Sequence, residues 1–262
     1  MHATERERLI IEAMGPNGFV SYRDLEARLA ASPATIRRDL SRLEEEGVIH
    51  RVRGGAKLSE SHGGRPEGAA RLAGTPFAQS ITEHLAQKQA IGRAAAQLCQ
   101  HGEGIMIDGG TTTLQMCPHI GGLDLSVLTN SLHIANALLP QPGTQILLPS
   151  GTLFREQNII LAPAGEESMP RFHAPKLFMG AAAVGPQGVM QQDVILVAAE
   201  RRLIDRAEQV ILLVDSSKFT SSSGAIVCGL DEVDIVVTDR GVQPQTLAML
   251  EKAGPKVIVV ES

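Results

Sequence analysis

The chain has 262 residues, a formal charge of −5, and 43% hydrophobic against 20% charged residues; such a length and balance suit two folded domains. No apolar run approaches the roughly 20 residues that span a bilayer, and aromatics at 3% without a single Trp are too few for stacking platforms on single-stranded nucleic acid. Cys99, Cys117 and Cys228 offer neither a CxxC pair nor a clustered histidine, so no disulfide framework, metal site or cofactor is indicated and a reducing cytoplasm is expected.

The first residues are charged, Glu5 to Arg8, so no secretory signal is expected. Residues 4–14 place Leu9, Ile10, Ala13 and Met14 on one helical stripe, and Gly15-Pro16-Asn17-Gly18 stops the helix. Ser21 caps a second helix, Tyr22 to about Ala30, with Leu25 and Leu29 inward. Ala31 makes a tight turn, Ser32 caps a third helix over 33–46, and Pro33 stands at its first position, where a missing N–H costs nothing.

Ile36, Leu40 and Leu43 form the inner face of that third helix. Ala34, Thr35, Arg37, Arg38, Ser41 and Arg42 lie opposite and on the flanks. A small, arginine-rich face at a capped N-terminus suits the DNA major groove, because arginine pairs bidentately with guanine or phosphate. Gly47 ends the helix, and residues 48–52 and 56–58 read as a hairpin wing carrying Arg51 and Arg53 around Gly54-Gly55. An arginine-studded helix alone is usually a solvated surface. Joined to the short helix, the tight turn and the basic wing, it reads as a double-stranded DNA footprint of Ser32, Thr35, Arg37, Arg38, Arg42, Arg51 and Arg53. Charge agrees: residues 1–58 carry 10 basic and 9 acidic residues, and the remainder carries 14 and 20.

Residues 59–79 are rich in Gly, Ser and Pro and read as a linker. Beyond it the pattern changes. A helix over 87–99 turns Ile91, Ala94, Ala95 and Leu98 inward, and apolar runs recur at 105–107, 125–128, 145–148, 176–179, 210–214, 235–237 and 256–260. Helical stretches at 131–138, 194–208 and 243–253 lie between several of them. Continuous Val/Ile/Leu strands alternating with helices predict an α/β domain over 80–262 with a doubly wound, mainly parallel sheet.

Ligands in such sheets sit beyond the carboxyl ends of the strands, and four of those ends are polar or glycine-rich. They are Asp108-Gly109-Gly110-Thr111-Thr112-Thr113, Thr129-Asn130-Ser131, Ser150-Gly151-Thr152 and Asp215-Ser216-Ser217-Lys218. Each alone is also an ordinary turn. Four at equivalent ends favour one shared phosphate or polyol site, with glycine amides and threonine hydroxyls cradling an anion near Lys218. Glu200 either meets ligand or pairs with the arginines of its own helix, Arg201 to Arg206.

The run Ser32-Pro33-Ala34-Thr35-Ile36-Arg37-Arg38-Asp39-Leu40, with Leu43 to Gly47 and Arg51-Val52-Arg53-Gly54-Gly55-Ala56, resembles the DeoR family of sugar-metabolism repressors. The resemblance continues through Asp108 to Thr112, Thr129-Asn130-Ser131, Phe178-Met179-Gly180 and Val214 to Phe219. It implies a winged helix-turn-helix whose helix at 33–46 docks in operator DNA. It also implies a sensor domain related to ribose-5-phosphate isomerase, in which Gly110, Thr111 and Thr112 hold a phosphate while Asp108, Asn130 and Lys218 face the sugar. Ser150-Gly151 stands where many relatives have Gly-Gly, and Ile195-Leu196 where they have paired Glu.

A repressor of a carbohydrate operon, controlled by a phosphorylated sugar at Asp108, Gly109, Gly110, Thr111, Thr112, Asn130, Gly151 and Lys218, is therefore expected. It is expected to work as a homo-oligomer, dimer or tetramer, away from membranes. The rival is a sugar-phosphate isomerase-like enzyme with an appended DNA-binding module, which needs a carboxylate base and an opposed electrophile. Asp108 and Lys218 could be cast so, yet the sequence offers no second acidic group at a strand end that clearly completes a site.

Overall fold

The computed structural model describes residues 3–14, 19–29, 31–52, 54–58, 77–161 and 170–261. It divides into two compact units, Met1–Ala70 and Arg71–Ser262. The expected stop signal at 15–18, Ala30, Arg53 and linker residues 59–76 lie outside the described residues.

In the first unit three helices, α1 (Ala3–Met14), α2 (Tyr22–Arg28) and α3 (Pro33–Glu45), pack on a small sheet. Its strands are β1 (Phe19–Ser21), β2 (Ile49–Val52) and β3 (Gly55–Leu58), in the order β1-β3-β2 and all antiparallel. The expected hairpin is present; β1 is an addition, too short for any period to reveal. Ser21 and Ser32 both cap their helices, accepting hydrogen bonds from the Asp24 and Thr35 amides. Ile10, Met14, Leu25, Ile36, Leu40, Leu43 and Ile49 close one core, so the α3 stripe faces inward as its spacing requires.

The second unit is built on a seven-stranded, wholly parallel sheet. In chain order it opens with α4 (Phe77–Ser80), α5 (Leu85–Ala96), β4 (Gly104–Ile107), a 3₁₀ segment Thr113–His119, β5 (Ser126–Leu128), α6 (Leu132–Leu138) and β6 (Gln145–Leu147). A hairpin of β7 (Thr152–Phe154) and β8 (Ile159–Leu161) leads to β9 (Ala174–Met179), β10 (Ala183–Gly185), β11 (Gly188–Gln191) and α7 (Val194–Ile204). Then follow β12 (Ala207–Leu213), a 3₁₀ turn Ser216–Phe219, β13 (Ala225–Cys228), β14 (Ile235–Asp239), α8 (Pro244–Ala253) and β15 (Lys256–Val260).

The sheet order is β15-β14-β12-β9-β4-β5-β6. All seven apolar runs of the sequence are its strands. Alternate residues feed two cores: Met106, Leu177, Met179, Leu212 and Val236 pack with Leu203 of α7 and Leu250 of α8. Ile105, Ile107, Phe178, Ile211 and Val237 pack with Ile91 of α5 and Ile134 of α6. Burial on both faces is why these strands read as continuous apolar runs instead of alternating ones.

Four expectations need correction. The helix expected over 194–208 ends at Ile204, because Ala207 and Glu208 already belong to β12. The helix expected over 87–99 runs from Leu85 to Ala96, and the segment after the glycine-rich loop is a 3₁₀ helix containing Pro118, which cannot donate the backbone bond an α-helix needs there. Residues 77–79, assigned to the linker, are helical, with Phe77 buried.

Candidate functional site

The chain moves outward from β4 to β5 and β6, then returns to lay β9 on the other side of β4. That reversal opens a crevice at the carboxyl ends of β4 and β9, the position where doubly wound sheets bind ligands. A cavity of about 140 Å³ lies there. Asp108 to Thr112 line it from the β4 end, Asn130 from the β5 end, Gly180 to Ala182 from the β9 end and Lys218 from the turn after β12. Of the expected effector residues, only Gly151 is absent from its lining; it is exposed at the start of the β7–β8 hairpin.

Hydrogen bonds fix the glycine-rich loop from both sides. Asn130 Nδ2 donates to Asp108 Oδ1 at 3.0 Å, and Asn130 Oδ1 accepts from the Gly109 amide at 3.0 Å. Thr113 Oγ1 donates to the Asp108 carbonyl at 2.8 Å. The Gly110, Thr111 and Thr112 amides make no hydrogen bond to a described residue, leaving donors next to the cavity. Space at Gly109 is tight: a Cβ there would stand 2.9 Å from Ile159 Cδ1, on the hairpin that covers this end, and would have to push that side chain aside. The hairpin is stitched down by the Ile160 amide to the Asn130 carbonyl at 2.8 Å and the Leu132 amide to the Asn158 carbonyl at 2.9 Å.

Asp239, at the end of β14, holds the Asp215–Lys218 turn: it accepts from the Ser216 amide at 2.7 Å and from Ser216 Oγ at 2.9 Å. Lys218 has no salt-bridge partner among the described residues.

Several site groups escape sequence reasoning. Lys88 is 2% exposed; its ammonium donates to the Ser80 carbonyl at 2.6 Å. Burial pulls its pKa down, opposed by the charge of Asp215. The available signal was its place on the α5 stripe with Ile91 and Ala95, where a lysine is out of pattern. Lys88 stands behind the cavity wall through Ser80, whereas Gln191, Phe77 and Ser80 line the cavity itself, brought there by tertiary packing without any motif.

Glu200 does not pair with the arginines of its helix. Arg201 turns to Glu232 at 2.6 Å, while Glu200 points into the cavity with Oε1 accepting from Gln191 Nε2 at 2.6 Å. Its carboxyl faces that of Asp108. Burial pushes Asp108 up to about 6 against the pull of Asn130 and Gly109. Burial and then the Asp108 charge drive Glu200 well above the usual carboxylate range. Two carboxyls this close cannot both ionise cheaply, so the pair retains a proton.

In the N-terminal unit, Arg37 and Arg38 are exposed and make no ion pair with a described residue. Ser32 Oγ accepts from the Thr35 amide at 3.2 Å and bonds Thr35 Oγ1 at 2.9 Å. Arg51 donates to Ser41 Oγ at 3.0 Å, joining the wing to the outer face of α3. Arg42 is engaged with Glu7 of α1. At 100° per residue, Ala34, Arg37, Arg38 and Ser41 centre the outer face, whereas Thr35 and Arg42 stand on the flank toward α1. Asp39, in the same charged run, is buried and takes a two-bond clamp from Arg6 at 2.7 and 3.0 Å.

A family model described as the DeoR C terminal sensor domain matches residues 83–240, and one described as a DeoR-like helix-turn-helix domain matches residues 6–62. The chain is 31% identical over 264 residues to a protein described as an aga operon transcriptional repressor of Escherichia coli O157:H7, covering 98% of this chain and 94% of that protein. It is 28% identical over 260 residues to the HTH-type transcriptional regulator UlaR of Shigella dysenteriae serotype 1, covering 99% and 100%. Among solved structures, a ribose 5-phosphate isomerase A of Methanocaldococcus jannaschii matches 50% of this chain and 53% of its own at 14% identity, with a TM-score of 0.38.

Proposed function

The chain belongs to the DeoR family, and on that footing we propose that it represses transcription of a carbohydrate-utilisation operon and releases its operator when a phosphorylated sugar occupies the sensor cavity. A DNA-binding module of residues 1–58 is tethered through 59–76 to a sensor that begins at Phe77, the first residue of α4. Its relatives are named as regulators, which favours a switch over an isomerase. The protein works in the cytoplasm, where operator and effector both occur, as a homodimer or homotetramer presenting two modules to half-sites one helical turn apart, about 34–36 Å, or a multiple of it.

The observation that carries the effector reading is the chemistry of the cavity. The Gly110 to Thr112 amides, which bond no described residue, and Lys218, which has no salt-bridge partner among the described residues, line the same cavity, and such donors suit a phosphate. Asp108 and Asn130 supply hydroxyl partners beside them. On the DNA side, Arg37, Arg38 and Arg51 carry the contacts, with the Ser32–Thr35 cap presenting the start of α3 to a backbone phosphate. Gly151 is left out of this assignment, and Arg42 contributes from the flank.

The switch requires the effector to bind one arrangement of the protein more tightly than the other, since only that difference can lower operator affinity. Arg38→Ala is expected to weaken operator binding about tenfold or more, one good contact being worth about 1–3 kcal/mol, while leaving the thermal shift produced by phosphorylated sugars unchanged. Thr112→Ala is expected to do the reverse. Fluorescence anisotropy on operator DNA and thermal-shift titration check this; folded variants that each lose both activities would overturn the reading.

A further inference from the structure

Among the described acids of the sensor, Glu200 and Asp215 each carry a buried oxygen without a hydrogen-bond partner, and of the two only Glu200 lines the cavity. It is 3% exposed, sits on the cavity wall, and its Oε2 is buried with no donor among the described residues. Its other oxygen is fixed by Gln191 Nε2, so the carboxyl is aimed and not adrift. Across from it stands Asp108, whose Oδ1 is held by Asn130. A buried oxygen in this position is open to a partner from a bound ligand, and a hydroxyl group can serve as that partner whether or not the carboxyl carries the proton.

Resting on the sugar-phosphate reading above, we propose that Glu200 and Asp108 form a paired-carboxyl clamp for the hydroxyl-bearing end of the effector, while the Gly110–Thr112 loop and Lys218 take its phosphate. Glu200 is then a ligand-binding residue that discriminates a polyol phosphate from a bare anion. The clamp works with one proton between its two acids. That proton lets Glu200 donate to one ligand oxygen, while the remaining acceptor sites of the pair take hydroxyl hydrogens.

The surroundings keep this proton in place. Asp108 meets Glu200 from the loop after β4, and Gln191 on β11 is neutral. Cys228 on β13 holds its thiol up at about 12. Arg201, the neighbouring cation on α7, is spent on Glu232. Lys218 lines the same cavity, and Lys88 behind it is coupled to Asp215.

The test measures dissociation constants for ribose 5-phosphate, glucose 6-phosphate, fructose 6-phosphate and inorganic phosphate between pH 6 and 9. It compares the wild type with Glu200→Gln and Glu200→Leu. Glu200→Gln keeps a neutral donor and acceptor in the same shape, so it should bind the best sugar phosphate within about threefold of wild type at pH 7 and show a flatter decline toward pH 9. Glu200→Leu should lose about tenfold or more for the sugar phosphate and nothing for inorganic phosphate, since it removes a hydrogen bond that only the hydroxyl-bearing ligand makes. Wild-type affinity in Glu200→Leu, equal losses for sugar phosphate and inorganic phosphate, or the same pH profile in wild type and Glu200→Gln would each overturn the clamp while leaving the sugar-phosphate reading intact. Failure of the wild type to bind any of the three sugar phosphates would remove that reading and the clamp with it.

Discussion

Single side chains in this protein take their roles from what they face, even where neighbours in sequence look alike. Arg37 and Arg38 are exposed, yet Asp39 next to them is buried under Arg6; one charged run thus serves both a surface and a core. Asp108 carries the clearest consequence for pH. Folded, its carboxyl is pushed up to about 6, against about 4 in an unfolded chain. The folded chain therefore keeps a proton that the unfolded chain releases between those values, so this contribution to stability is complete below about pH 4 and is lost as pH rises through about 6. Glu200, raised by burial and by the Asp108 charge, changes stability with pH in the same direction. Urea unfolding between pH 5 and 8 should show the sensor losing stability relative to Asp108→Asn as pH rises; a difference of the opposite sign would contradict a protonated pair.

At the level of elements, close approach decides what composition alone leaves open. Gly92 lies within α5, where glycine costs about 1 kcal/mol relative to alanine in an open helix. Here a Cβ would come within 2.5 Å of the Gln115 backbone in the 3₁₀ segment that follows the glycine-rich loop. Backbone cannot rotate away as a side-chain tip can, and overpacking costs about 1–3 kcal/mol. Gly92→Ala should therefore destabilise the sensor by about 1–2 kcal/mol and weaken ligand binding through the displaced loop. Denaturant unfolding and the thermal shift with ribose 5-phosphate measure both, and a stabilised variant would show that α5 can slide. The elements themselves were largely legible: seven apolar runs became seven parallel strands because both faces of the sheet are covered. The short strands β7, β8, β10, β11 and β13 were not, since three or four residues carry too little period to be read.

Across the whole molecule, two sets of apolar residues close separately: one around Leu25, Ile36 and Leu40, the other on the two faces of the parallel sheet. Cores that do not share residues are expected to melt separately. Calorimetry should resolve two transitions, and a sugar phosphate at a hundredfold excess over its dissociation constant should add about 2.7 kcal/mol to the sensor transition alone. A single transition, or one in which the ligand raises both, would mean that the units fold as one. This separation is also what an effector-controlled repressor uses, since ligand energy must be expressed as a change between arrangements and not as unfolding.

The order of amino acids by itself determined the local matters: where helices begin, through Ser21 and Ser32; which faces turn inward, through apolar spacing; and which strand ends carry glycine, threonine and lysine. Those properties act over a few bonds, so they are written in neighbouring residues. Only the tertiary structure decided that Lys88 is buried, that Gly151 stays outside the cavity, and that Glu200 turns away from its own arginines to meet Asp108, 92 positions earlier in the chain. Such pairings depend on strand order and on water being excluded between the paired groups, and neither is encoded in any short stretch of sequence.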